Sequence, residues 1–180
     1  MSDCFDTLLR QAKQARREHR LDDAMRDLVE AVDIARKAGI GVVLAGALTG
    51  LGQIERDLHR SEAARQHYEE AVGLYRAEGD PLKLAHTVRH VGDIHLDAGR
   101  PELAEPCYNE ALELYRGYEK PSPLDLANTI RGLAILKYDA GERDASRALW
   151  EEARDLYATV KVEAGVAEST RRLVLLARGY

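Results

Sequence analysis

The chain is built from copies of itself, and that restricts its fold more than any other feature. Residues 84–116 read LAHTVRHVGDIHLDAGRPELAEPCYNEALELYR. A shift of forty residues lays Leu44 and Ala45 on Leu84 and Ala85, Gly52 on Gly92, Ile54 on Ile94, Ala64 on Ala104, Tyr68 on Tyr108 and Tyr75 on Tyr115. A shift of forty-two in the other direction lays Leu84 on Leu126, Thr87 on Thr129, Arg89 on Arg131, Asp97-Ala98-Gly99 on Asp139-Ala140-Gly141, Tyr108 on Trp150 and Tyr115 on Tyr157. A fixed period of roughly 20–50 residues marks a stack of like units, each burying its apolar face on the next.

Within a unit the small and aromatic positions are fixed. Gly52, Gly92 and Ala134 stand twelve residues before Ala64, Ala104 and Ser146; Tyr68, Tyr108 and Trp150 follow four later, and Ala71, Ala111 and Ala153 three after that. Two antiparallel helices approach closely only where the crossing carries no bulk, and an aromatic fills the space between one hairpin and the next. This spacing resembles the tetratricopeptide repeat, whose pattern places Leu-Gly on the first helix and Ala, aromatic, Ala on the second. The unit is longer than usual, and Leu48, Val88 and Ile130 replace the tryptophan that often opens the first helix. The longer period, Ala104-Glu105-Pro106-Cys107-Tyr108 and Glu110-Ala111-Leu112 look like the kinesin-light-chain variety. The resemblance implies an all-α fold, a right-handed α-solenoid of antiparallel helix hairpins, whose first helices line a concave face that binds a peptide or another protein without catalysis.

A single domain over 1–180 is expected, with repeats near 5–40, 41–80, 81–122 and 123–162 and a capping helix near 164–178. Helices are expected over 7–19, 22–38, 42–58, 61–77, 81–98, 101–118, 124–140 and 143–159, with no strand pattern. The first is the most polar, as a terminal unit requires on its outer side. Gly39 suits a left-handed helix end, Asp80 an N-cap with Pro81 at the first helical position, and Pro106 a kink. Residues 119–123 form a lengthened, proline-rich loop.

Composition excludes several classes. With 26 basic and 31 acidic residues the net charge is −5, which argues against a nucleic-acid surface built on phosphate contacts. Cys4 and Cys107 lack metal-ligand spacing and form no disulfide framework, and the acidic start is unlike a signal peptide. The run 40–52 is too short and glycine-rich to span a bilayer. A reducing cytoplasm, no nucleic acid and no membrane are the expectations. No nucleophile with a base, paired acids, phosphate loop or dinucleotide fingerprint occurs, so neither catalysis nor a cofactor is expected.

Helical periodicity then nominates the binding face. On the first helices, Gly46, Thr49, Gln53 and Arg56 share a face, as do His86, Arg89, Asp93 and Leu96, then Asn128, Arg131, Ile135 and Tyr138, and finally Glu168, Arg171, Leu175 and Arg178. Arg89, Arg131 and Arg171 stand in register with His86, His90, Asn128 and Arg172 beside them. Such a ladder attracts an acidic segment or a C-terminal carboxylate, and its histidines would tighten that binding below about pH 6.5. The bland alternative pairs Arg89 with Asp93 and the other arginines with structural carboxylates. His86, His90 and Asp93 also have a spacing that could face a metal, but no fourth ligand joins them and no metal is expected. Asp57, Asp97 and Asp139 read as turn or helix-start residues. Tyr68, Tyr75, Tyr108, Tyr115 and Tyr157 read as core. The consecutive apolar Leu173, Val174, Leu175 and Leu176 suggest a second function, self-association through Leu173, Leu175 and Leu176.

Overall fold

Every repeat becomes an antiparallel helix pair. The computed structural model describes residues 2–178, with side chains from Phe5 to Arg178, so Cys4 lies outside the described side chains. Among the described residues there are nine helices and no strand: α1 (Ser2–Arg17), α2 (Leu21–Ala38), α3 (Gly41–Asp57), α4 (Ser61–Glu78), α5 (Pro81–Asp97), α6 (Pro101–Arg116), α7 (Pro123–Asp139), α8 (Arg143–Thr159) and α9 (Glu163–Ala177). This is an all-α solenoid of the hairpin type. The helix α1 begins five residues before the expected start at Thr7, and α6 continues through Pro106.

The turns explain why the helices stop where they do. Inside the four hairpins the reversal is made by a left-handed residue: His19 (φ 58°), His59 (φ 59°), Gly99 (φ 66°) and Gly141 (φ 79°). In each, the next amide reaches back to a last-turn carbonyl: Arg20 to Ala15 at 2.9 Å, Arg60 to Glu55 at 2.8 Å, Arg100 to His95 at 2.9 Å and Glu142 to Lys137 at 2.9 Å. This closure satisfies carbonyls the helix leaves open. Glycine adopts the conformation without strain; histidine does not. Between hairpins, Gly39 and Gly79 end α2 and α4 in the same region, and the Asp80 side chain caps α5 by accepting from the Lys83 amide at 3.1 Å. Ser122 caps α7 by accepting from the Asp125 amide at 3.3 Å, a cap the proline-rich loop had hidden.

The chain forms two units, one up to Thr87 and one from Val88. In the first, Ala12 and Ala15 of α1, Ala24, Leu28 and Ala31 of α2, Leu44, Leu48 and Leu51 of α3, and Tyr68 and Tyr75 of α4 are buried. The Tyr68 ring lies so close to Gly52 that a Cβ there would stand 2.7 Å from it. In the second unit, Tyr108 fills the space between two glycines: a Cβ on Gly92 would meet its ring at 3.2 Å, and one on Gly132 would overlap it outright. Ala104, Ile130, Leu133 and Tyr157 complete that core, and Ala134, Trp150 and Leu176 form another. Ser146 replaces alanine in α8, and its buried hydroxyl donates to the Ala134 carbonyl at 2.8 Å. All five repeated tyrosines are core residues, as their spacing implies.

Candidate functional site

The arginine ladder falls entirely in the second unit, and two of its three rungs are already occupied. Arg89 is buried, and its Nη1 donates to Asp93 Oδ2 at 2.8 Å. Its Nη2 lies 2.9 Å from His90 Nε2. A guanidinium has only donors, so Nε2 accepts, and the His90 proton sits on Nδ1, 3.3 Å from Asp93 Oδ2. The other Asp93 oxygen accepts from the buried Tyr108 hydroxyl at 2.9 Å. Burial and the Asp93 charge both push that phenol upward from its ordinary range.

Arg131 is clamped by Glu168 of α9, with Nε and Nη2 donating to the two carboxylate oxygens at 2.8 and 3.0 Å. The hydrogen bond raises the guanidinium and lowers the carboxyl from their usual ranges. Asn128 Oδ1 accepts from the Tyr157 hydroxyl at 2.7 Å, so it too serves the fold. Tyr138 packs against the cluster of Ala134, Trp150 and Leu176. His86 is half-buried on α5. Arg171 alone of the three arginines is exposed and makes no hydrogen bond or ion pair among the described residues. The bland reading therefore describes Arg89 and Arg131, because carboxylates lie within reach of both.

The association surface needs a similar correction. Leu176 is 3% exposed and Leu173 packs against the same cluster, so both face the chain's own core. Arg172 lies over the Trp150 ring at 5.8 Å and covers it from outside. Only Val174, at 44% exposure, is open among the four apolar residues.

An open site lies instead in the first unit. A groove of about 1010 Å³ runs between α1 and α3, with α2 contributing Leu21 and Leu28. Its α3 wall is the face formed by Gly46, Thr49, Gln53 and Arg56, and its α1 wall carries Lys13, Arg16 and Arg17. Asp57 is the single carboxylate among its lining residues, and Arg16 grips it through Nε at 2.6 Å and Nη2 at 3.2 Å while Nη1 donates to Gln53 Oε1 at 3.2 Å. The hydrogen bond to Asp57 raises the Arg16 guanidinium. The aspartate thus pairs across helices rather than with turn amides. Thr49 donates to the Ala45 carbonyl at 2.8 Å. Lys13 and Arg17, one turn apart on α1, are exposed and make no hydrogen bond or ion pair among the described residues. His19 and His59, two of the three non-glycine residues held at positive φ among the described residues (Lys161, between α8 and α9, is the third), also line the groove.

The α3 wall was readable in the sequence as a shared face, but the outward Lys13, Arg16 and Arg17 of α1 fitted the polar outer side of a terminal unit and were not nominated. The available signal was Arg16, which precedes Arg56 by forty residues and so belongs to the same repeated face. Among the described residues no three histidine, cysteine, aspartate or glutamate side chains come together to hold a metal, and no helix is long and apolar enough to cross a membrane.

Two family models, each described as a tetratricopeptide repeat, match residues 83–159 and 45–78. The chain belongs to the tetratricopeptide-repeat family, and its repeats are of a kind that mediates protein–protein interaction. No curated protein matches it. Among solved structures it is similar to a signal-transduction ATPase with a tetratricopeptide-repeat sensor from Pyrococcus horikoshii, at 19% identity and a TM-score of 0.80. That match covers 96% of this chain but only 26% of the other. The apo form of RapI matches with a TM-score of 0.82 at 11% identity over 93% of this chain and 60% of that one. BtubC from P. vanneervenii matches at 0.59 and 18% identity, over 99% and 92%. Identities this low carry the fold alone.

Proposed function

We propose that the chain is a non-catalytic adaptor that takes a peptide, or an exposed segment of another protein, into the α1–α3 groove, with a preference for acidic segments. The observation that carries this reading is the groove itself, with its glycine at position 46, its Thr49 and Gln53 wall, and cations that exceed its one carboxylate. A net charge of −5 on the chain makes that local excess a directed feature rather than a reflection of composition. Polar groups set in a concave, partly apolar wall are what orients a bound segment. The cytoplasm is the proposed setting, where Cys107 would stay reduced.

Gly46 supplies the test. A Cβ there meets nothing nearer than the Tyr75 hydroxyl at 3.8 Å, so a side chain enters the groove without disturbing the fold. Gly46→Leu should lower binding across a peptide array by about tenfold or more, with the melting temperature held or raised because an interior helical glycine is removed. Array binding unchanged by Gly46→Leu would remove the groove as the site.

A further inference from the structure

Resting on the peptide-binding reading, we infer that the α1–α3 groove is a receptor for a phosphorylated segment, its phosphate held between Lys13 and Arg17 of α1 and the turn histidines His19 and His59. The first ground is the donor inventory. Both side-chain acceptors of the groove that face its cations, the Asp57 carboxylate and Gln53 Oε1, are taken by Arg16. The Thr49 hydroxyl is directed at its own helix. What stays open on α1 is donor-only: an ammonium and a guanidinium one turn apart, exposed and without a carboxylate partner among the described residues.

Such a surface matches a ligand made of acceptors. A phosphomonoester carries a charge of about −1.5 to −2 and three strong acceptor oxygens, whereas a side-chain carboxylate offers one charge and two oxygens. Two adjacent cations are therefore balanced by one phosphate but leave a surplus against one carboxylate. The fork of Arg17 can bind two phosphate oxygens while Lys13 acts as a point charge beside it.

The second ground is the turn chemistry. The third and fourth hairpins reverse at Gly99 and Gly141, but the first and second place His19 and His59 at the same left-handed position, and these two histidines line the groove. A non-glycine residue there costs conformational energy. In return, two imidazoles, each able to donate an N–H, line the same groove as the α1 cations.

The experiment uses the whole chain and three degenerate peptide pools that differ only at a central serine, phosphoserine or glutamate, read by fluorescence polarisation, with inorganic phosphate as competitor. The expected result is that the phosphoserine pool binds about tenfold or more tighter than either other pool. Inorganic phosphate should compete, and the double change Lys13→Glu and Arg17→Glu should erase the difference while leaving helicity and melting temperature in place, since both side chains are exposed. Equal binding of all pools, still abolished by Gly46→Leu, overturns the phosphate assignment and leaves the peptide reading standing. Displaceable phosphate without tighter binding of the phosphoserine pool assigns the cations to a free anion and equally overturns it. A phosphoserine preference that survives the double charge reversal places the phosphate elsewhere and does the same, and no binding by any pool overturns both readings.

Discussion

Glycine at different positions in these helices has opposite consequences, decided by what a Cβ would meet. Gly73 of α4 is exposed with nothing within 4 Å of its added Cβ, so Gly73→Ala should stabilise the chain by about 0.5–1 kcal/mol in urea unfolding. Gly52→Ala drives a Cβ into the Tyr68 ring at 2.7 Å and should cost about 1–3 kcal/mol. Tyr108→Ala removes the side chain seated between Gly92 and Gly132 together with its hydrogen bond to Asp93 Oδ1, with an expected loss of ~3–5 kcal/mol. Gly52 and Tyr108 were legible in advance because packing imposes its own periodicity on a repeat. The arginine partners were legible only in part. Asp93 lies one turn from Arg89 and could be read off the helix, but Glu168 reaches Arg131 from thirty-seven residues away, and no local rule ties them together.

Helix α9 shows how an element is held by apolar and polar contacts together. Its Leu176 enters the cluster around Trp150, and its Glu168 clamps Arg131 of α7. Leu176→Glu buries a charge in an apolar site and should release α9, with a large fall in melting temperature. Trp150 is the chain's single tryptophan, so its emission should shift to the red while the sedimentation mass stays unchanged. A mass halved by that change with the fold intact would restore the association reading. The apolar run had suggested an open surface because a string of four apolar residues does not reveal which of them a helix turns inward. Acid should loosen the same element. The Arg131 hydrogen bond lowers the Glu168 carboxyl, so this contribution is fully present above the ordinary glutamate range, near 4.3, and is lost as pH falls through the lowered folded value. Glu168→Gln should make the melting temperature less sensitive to pH in that acid window.

At the scale of the whole chain, the repeat pattern specified the hairpins and their order but not which first-helix face stays open. That choice rests on competition between internal and external partners: Asp93 and His90 of α5 engage Arg89 and Glu168 of α9 engages Arg131, whereas α1 spends its Arg16 on Asp57 and leaves Lys13 and Arg17 uncommitted. Salt should expose the difference. Ligand binding that uses the exposed α1 cations should weaken steeply between low and physiological ionic strength, while the buried Arg89 pair should be little affected. The most direct measurement is a backbone-amide NMR titration with the tightest peptide from the array. Shift changes concentrated at Lys13, Arg17, Gly46, Thr49 and Gln53 are the predicted result; changes confined to α6, α7, α8 and α9, with those five amides still, would contradict it.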